Sequence, residues 1–170
     1  MQSRTAEVAE IDAGVLLGLV DALRNAGHDP VEIARNAGIS FDSCETLRRS
    51  LPLPHFIRIL QTAGVQSRRG DLLWRCGRHC AAHHFEQQFP LARDAVRLGD
   101  ALKLIELSLK LLQTDSLFRL QVRDGLATFE YQVLDPATWP RSRDVEFTFG
   151  FLEGVVRRFY AGHSTTLDKA

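Results

Sequence analysis

The chain has 170 residues, 45% hydrophobic and 25% charged. That composition is globular and excludes collagen-like, coiled-coil and disordered classes. Its 21 Lys and Arg balance 21 Asp and Glu, so the basic excess usual in a domain that grips nucleic acid is missing. No apolar run approaches the roughly 18 residues of a membrane span, and no charged head precedes an apolar stretch at the start. Three cysteines, Cys44, Cys76 and Cys80, fit a reducing cytoplasm and no disulfide scaffold.

Ile11, Val15, Leu19 and Ala22 lie on one stripe, widened by Leu16, Val20 and Leu23. They predict a mostly buried helix from Ile11 to Ala26, closed at Gly27. Asp29-Pro30-Val31-Glu32 has the cap, first-turn proline and glutamate of a helix start, so a short helix over Pro30 to Asn36 follows, closed by Gly38. Ile39 to Leu51 has no clear period and reads as a connector with one turn of helix at most. His55 to Val65 is helical by its spacing of Phe56, Ile57, Leu60 and Ala63. Arg68-Arg69-Gly70 breaks that helix, and Asp71 opens one carrying Leu72, Leu73, Trp74 and Cys76. Gly77 to Pro90 has no decisive pattern. Leu91 to Leu98 reads as a short helix, and Gly99-Asp100 opens a stronger one through Leu102, Ile105, Leu109 and Leu112.

Two alternating runs, Leu117 to Val122 and Leu126 to Val133, flank Asp124-Gly125, a preferred type I′ dipeptide. A two-residue turn there pairs Val122 with Ala127, Leu120 with Phe129 and Phe118 with Tyr131 on an apolar face. It also pairs Gln121 with Thr128 and Arg119 with Glu130 on the other, so one register explains both faces. Asp135 to Pro140 is a loop. A last helix from Arg143 to Ala161 carries Val145, Phe149, Leu152, Val156 and Phe159, flanked by Phe147, Phe151 and Val155. Gly150 and Gly154 stand one turn apart in it and allow another backbone to come close, within the domain or across a dimer, at an intrinsic cost of about 1 kcal/mol each. Gly162 ends this helix, and His163 to Ala170 reads as a disordered tail. The expected fold is α+β: six or seven helices and a small antiparallel sheet containing the 117–133 hairpin. Residues 1–10 form a flexible start, 11–162 the domain and 163–170 the start of a linker.

Cys76, His79, Cys80 and His83 fall on one helical face. Thiolate and imidazole donors at that spacing suit zinc or another soft metal, or a redox-sensing thiol. The plainer reading is a half-buried helix end with surface histidines, because no second ligand pair stands elsewhere. The chain has no Gly-x-Ser-x-Gly elbow, Walker loop or His-Glu-x-x-His, and no nucleophile with an assignable base, so the reading is not an enzyme. No cofactor is implied. The arginine pairs 48/49, 68/69, 141/143 and 157/158 are dispersed and offset by acids, unlike a phosphate-binding surface. Aromatics gather as Trp74 with Phe85 and Phe89; Phe118 with Phe129 and Tyr131; and Trp139 with Phe147, Phe149 and Phe151. Most of these are core. A hollow between the apolar face of the hairpin and the last helix is still the expected seat of a small molecule, since such seats are apolar with a few polar groups set in them. The candidate ligand-binding residues are Trp74, His84, Phe85, Phe89, Phe118, Phe129, Tyr131 and Glu146. If Glu146 or Glu86 faces the hollow, the ligand is a cation such as an amine or a basic amino acid.

Read in order, VLLGLVDALRNAGHDPVEIARNAGIS, LPLPHFIRILQTAG with GDLLWRCG, LGDALKLIELSLKLL, the Asp-Gly hairpin and LDPATWPRSRDVEFTFGFL resemble the N-terminal regulatory, arabinose-binding-like domain of AraC-type transcriptional regulators. The resemblance runs from Ile11 to Gly162 and is weakest over Arg75 to Asp94, where HHFEQQFPLARDA replaces the usual stretch. It implies a cytoplasmic sensor that binds a small-molecule effector and forms a homodimer. Contact with DNA, and activation, would come only through a C-terminal pair of helix-turn-helix motifs beyond residue 170.

Overall fold

The computed structural model describes residues 8–40, 50–67 and 69–167. Cys44, Arg48, Arg49 and Arg68 lie outside the described residues, as do most of the 39–51 connector, positions 1–7 of the expected flexible start and the last three positions. The elements in chain order are β1 (Glu10–Asp12), α1 (Ala13–Asn25), α2 (Pro30–Asn36), β2 (Ser50–Pro52), α3 (Leu53–Gln66), α4 (Leu72–His83), α5 (Phe85–Gln88), α6 (Leu98–Leu112), β3 (Ser116–Arg123), β4 (Leu126–Val133), a 3-10 turn (Pro136–Thr138) and α7 (Ser142–Leu167). The architecture is α+β, helical for the most part, as the sequence predicts.

Local chemistry explains several boundaries. The Asp29 carboxylate accepts from the Val31 amide at 2.9 Å, with Pro30 in the first turn, so α2 begins and ends where its capping signal puts it. The hairpin has the predicted register, Val122 to Ala127, Leu120 to Phe129 and Phe118 to Tyr131. Asp124 and Gly125 take φ of 50° and 76°, the left-handed pair that a type I′ turn requires. Arg119 and Glu130 face each other at 3.8 Å.

Three predictions need correction, and one undecided stretch is resolved. The first helix starts at Ala13, because residues 10–12 pair as β1 with β2, Ile11 against Leu51. Asp12 then caps α1 by accepting from the Gly14 amide at 2.7 Å. This second two-stranded sheet had no sequence signal, since three residues are too few to alternate. β1 also meets the α6–β3 junction: the Thr114 amide donates to the Glu10 carbonyl at 2.9 Å. Residues 91–97 form turns instead of a helix. Leu91 and Val96 are largely exposed, and a short helix without an apolar face to pack does not persist. The undecided stretch after Gly77 continues α4 to His83 and then makes the short α5. Finally, α7 does not stop at Gly162 but runs to Leu167.

The rotation of α7 is also different from the predicted stripe. Phe147, Phe151, Leu152 and Val155 are buried, while Phe149 is exposed. The cause is the packing of α7 on α4. A Cβ placed on Gly77 would collide with the Phe147 carbonyl and lie 2.6 Å from the Phe151 nitrogen. One placed on Gly150 would strike the Trp74 carbonyl, and one on Gly154 would lie 2.6 Å from the Ala81 Cβ. Three glycines thus bring two helix backbones together within the domain, and the face they occupy fixes which other residues of α7 point inward. Leu73, Phe56, Leu60 and Phe85, none more than 1% exposed, fill the core beside this contact.

Replacing Gly150 by alanine puts a methyl group into backbone that has little freedom to retreat. Gly150→Ala should cost about 2–3 kcal/mol and lower the melting temperature by roughly 5–10 °C. Thermal unfolding checks this, and an unchanged midpoint would show that the two helices are not so closely packed.

Candidate functional site

A narrow cavity opens where seven elements of the chain meet. Its wall is Ile11 of β1 and Val15 of α1, Phe56 of α3, Gln88 and Phe89 at the end of α5, Leu109 and Leu112 of α6 with Gln113, Phe118 of β3, and Asp144, Phe147, Thr148, Phe151 and Leu152 of α7. The cavity measures about 50 Å³. That is room for a few waters. Phe89 and Phe151 pack with ring centroids 5.0 Å apart, and Phe85 stacks behind them, 5.8 Å from Phe89. Phe118 stacks on Tyr131 at 4.9 Å.

One corner of this apolar space is polar. Asp144 is 2% exposed, and its Oδ2 accepts from the Tyr131 hydroxyl at 2.7 Å. The Gln113 side-chain amide donates to that hydroxyl at 3.2 Å. Burial outweighs the Tyr131 bond and the nearby Arg141 charge and pushes the Asp144 carboxyl up to about 6. Burial, with the Asp144 charge beside it, also holds the Tyr131 phenol well above its usual value. The Arg141 guanidinium lies over the rings of Tyr131 and Trp139, at 5.7 and 5.1 Å, and its Nη1 is buried without a hydrogen-bond partner. A carboxyl group on the edge between ionised and neutral, with an unsatisfied guanidinium N–H nearby, is suited to orient a polar group on a bound molecule.

The sequence-predicted residues divide around this cavity. Phe89 and Phe118 line it, and Tyr131 supplies the hydroxyl at its polar corner. Phe85 sits one layer behind, and Phe129 is half-buried against the core without lining the space. Trp74 is on the outside of the α4–α7 pair, its indole N–H donating to Glu153 at 2.6 Å. Glu146 is one residue-pair removed from the cavity wall, held by both oxygens to Arg143 at 2.7 and 2.9 Å. Glu86 is paired with Arg158 at 2.6 Å. His84 turns toward α1, where its Nε2 lies 2.9 Å from Asp21 Oδ2. Asp144, Gln113 and Gln88 were not singled out from the sequence. A signal for Asp144 existed: it stands three and seven residues before Phe147 and Phe151, an acid on an apolar helical face.

The expected Cys/His face of α4 also splits. Cys76 and Cys80 point into the core, and loss of water pushes the Cys76 thiol up to about 12 and the Cys80 thiol higher still. They are protonated core residues at neutral pH, not thiolate ligands. His79 instead places Nε2 2.8 Å from the same Asp21 oxygen as His84, and His83 is exposed.

Residues 27–170 match the family model described as "Arabinose-binding domain of AraC transcription regulator, N-term". No curated protein matches this chain. A solved structure reported as "Modulating Heme Redox Potential Through Protein-Induced Porphyrin Distortion" is similar at TM-score 0.56 and 22% identity, over 86% of this chain and 85% of that one. That likeness is one of fold.

The polar corner has a measurable consequence for stability. Asp144 binds its proton more tightly folded, with a value near 6, than unfolded, with a value near 3.8. Its contribution is therefore fully present below about pH 4 and is lost as pH rises through 6, a loss of about 3 kcal/mol. Asp144→Asn should remove this component, so that urea midpoints compared between pH 4 and pH 7 fall less for the variant than for the parent. Parallel pH profiles would mean that Asp144 is not buried as described.

Proposed function

The chain belongs to the family of N-terminal arabinose-binding domains of AraC transcription regulators, a family of ligand-sensing regulatory domains, and on that premise we propose that the cavity at Asp144 is its effector site. The observation that carries the reading is a buried carboxyl that accepts from the Tyr131 hydroxyl, itself bonded by Gln113, at the end of an otherwise apolar space. The effector is then an amine or an amino acid with an apolar body. Its ammonium group meets Asp144, any carboxylate meets the free Arg141 N–H, and its body lies among Phe89, Phe118 and Phe151. The cation expected of Glu146 or Glu86 is thus assigned to another acid, because those two are already paired.

The space is small, so a ligand larger than a few waters must part its walls. Four residues of one helix, α7, make up much of that wall after Asp144, and α7 continues to Leu167. Binding therefore favours whichever placement of α7 leaves the cavity wider, by as much as the effector's affinity differs between the two placements. In this reading the shift passes along α7 to a helix-turn-helix half that contacts DNA in the cytoplasm and activates transcription. A homodimer would use the groove along which Leu17, Leu91 and Leu111 are exposed. Leu111→Glu should then elute as a monomer in gel filtration where the parent elutes as a dimer; identical elution would remove this surface.

Calorimetry with a panel of amines and apolar amino acids tests the site. For any binder found, Asp144→Asn should weaken affinity about 10- to 100-fold, the loss of one charge-assisted hydrogen bond. Glu146→Gln and Trp74→Ala should stay within about twofold. Equal affinity in Asp144→Asn would place the effector elsewhere.

A further inference from the structure

We propose that Asp21, His79 and His84 form a binding site for a divalent first-row transition-metal ion, separate from the effector cavity and not dependent on it. The three side chains come from two elements. Asp21 is in the third turn of α1, His79 is in the last two turns of α4, and His84 is the residue that closes α4. Their ligand atoms, two imidazole Nε2 and one carboxylate oxygen, all lie within 4.8 Å of one another. Both Nε2 atoms point at one oxygen, Asp21 Oδ2, from 2.8 and 2.9 Å.

Two imidazoles and a carboxylate with a further position open is the donor set of metal sites that keep one exchangeable ligand. The geometry is close to what an ion needs. With metal–ligand bonds of about 2.0–2.2 Å, tetrahedral ligand atoms stand roughly 3.3 Å apart. The two N–O distances therefore have to open by only about half an ångström, and the ion replaces the protons that now bridge them. The histidine side chains are held, 16% and 20% exposed, while that of Asp21 is 52% exposed, which gives an ion a path from solvent. Outside the first ring of ligands, the Asn25 side-chain amide lies 3.4 Å from His79 Nδ1. A metal-bound ring carries its proton on Nδ1, and the Asn25 amide turned over would present its oxygen to accept it. Behind the site α1 presents Gly18, against which the Gln88 side-chain amide, the Cys80 sulfur and the His84 ring pack.

Bound there, the ion ties α1 to α4, the helix that carries α7. It acts on the same framework as the effector but through a different contact, and occupancy stabilises the folded state by mass action.

The test uses the untagged protein after chelator treatment, titrated with Co²⁺ alone. Expected are saturable calorimetric binding near one ion per chain, visible d–d absorption, and a melting temperature that rises with Co²⁺. His84→Gln and Asp21→Asn should each weaken Co²⁺ binding about tenfold or more, whereas His83→Gln should stay within twofold. Metal-free melting curves of the variants verify that they fold. No saturable binding, or binding that survives the double variant Asp21→Asn with His84→Gln, overturns the site. So does a loss in His83→Gln as large as in His84→Gln. Effector calorimetry does not involve these residues, so failure of either proposal leaves the other readable.

Discussion

The close approach of α4 and α7 governs the arrangement of everything functional in this domain. Gly77, Gly150 and Gly154 remove the side chains that would hold two helices apart. Backbone then packs on backbone, with the dispersion contacts of a dense interior. The cost is intrinsic helix propensity at three positions, about 1 kcal/mol each. Once that face of α7 is committed to α4, the helix has no rotational freedom left. Asp144, Phe147, Thr148, Phe151 and Leu152 must look toward α6 and the hairpin, and Phe149 must look outward.

The same rotation creates an electrostatic tension. A carboxyl group is carried into an apolar space, where its charged form is disfavoured. Tyr131 donates to it, and Arg141 lies within range of its charge, but neither fully offsets the lost water. Buried polar groups placed for stability alone are normally well satisfied. A half-satisfied carboxyl and a buried guanidinium N–H without a partner are the observations on which the proposed effector site rests. The narrowness of the cavity fits the proposed reading, in which an effector would bind only by shifting α7, the helix that lines much of its wall.

α4 has a second role on its other side. Glycine at 77 serves α7, and two residues later His79 faces α1, where it meets Asp21 together with His84. The cysteines that share the sequence neighbourhood of these histidines face inward and are protonated. One helix thus separates a hydrophobic seam from a polar, solvent-reached cluster, and neighbours in sequence end up in chemically opposite environments, as 3.6-residue periodicity demands.

The elements that short-range chemistry decides were legible in the chain itself. Asp29-Pro30 starts α2, Asp124-Gly125 fixes the hairpin register, and the spacing from Leu102 to Leu109 makes α6. The order of those segments also resembles the regulator family to which the chain belongs. Aromatic placement at Phe89, Phe118 and Tyr131 was readable too, because large apolar side chains between a hairpin and a helix have few other places to go. The rest required long-range contact. β1 exists only because β2 and Thr114 meet it from 40 and 104 residues away. The 91–97 segment is not helical because its large apolar residues, Leu91 and Val96, stay exposed and only the small Ala92 is buried. Trp74, Glu146 and His84 do not line the cavity, because Glu153, Arg143 and Asp21 hold them elsewhere. Asp144 entered it because three distant glycines set the angle of α7. Composition and periodicity determine which residues prefer burial; only the folded neighbours decide which way a helix turns and which charge an interior must accommodate.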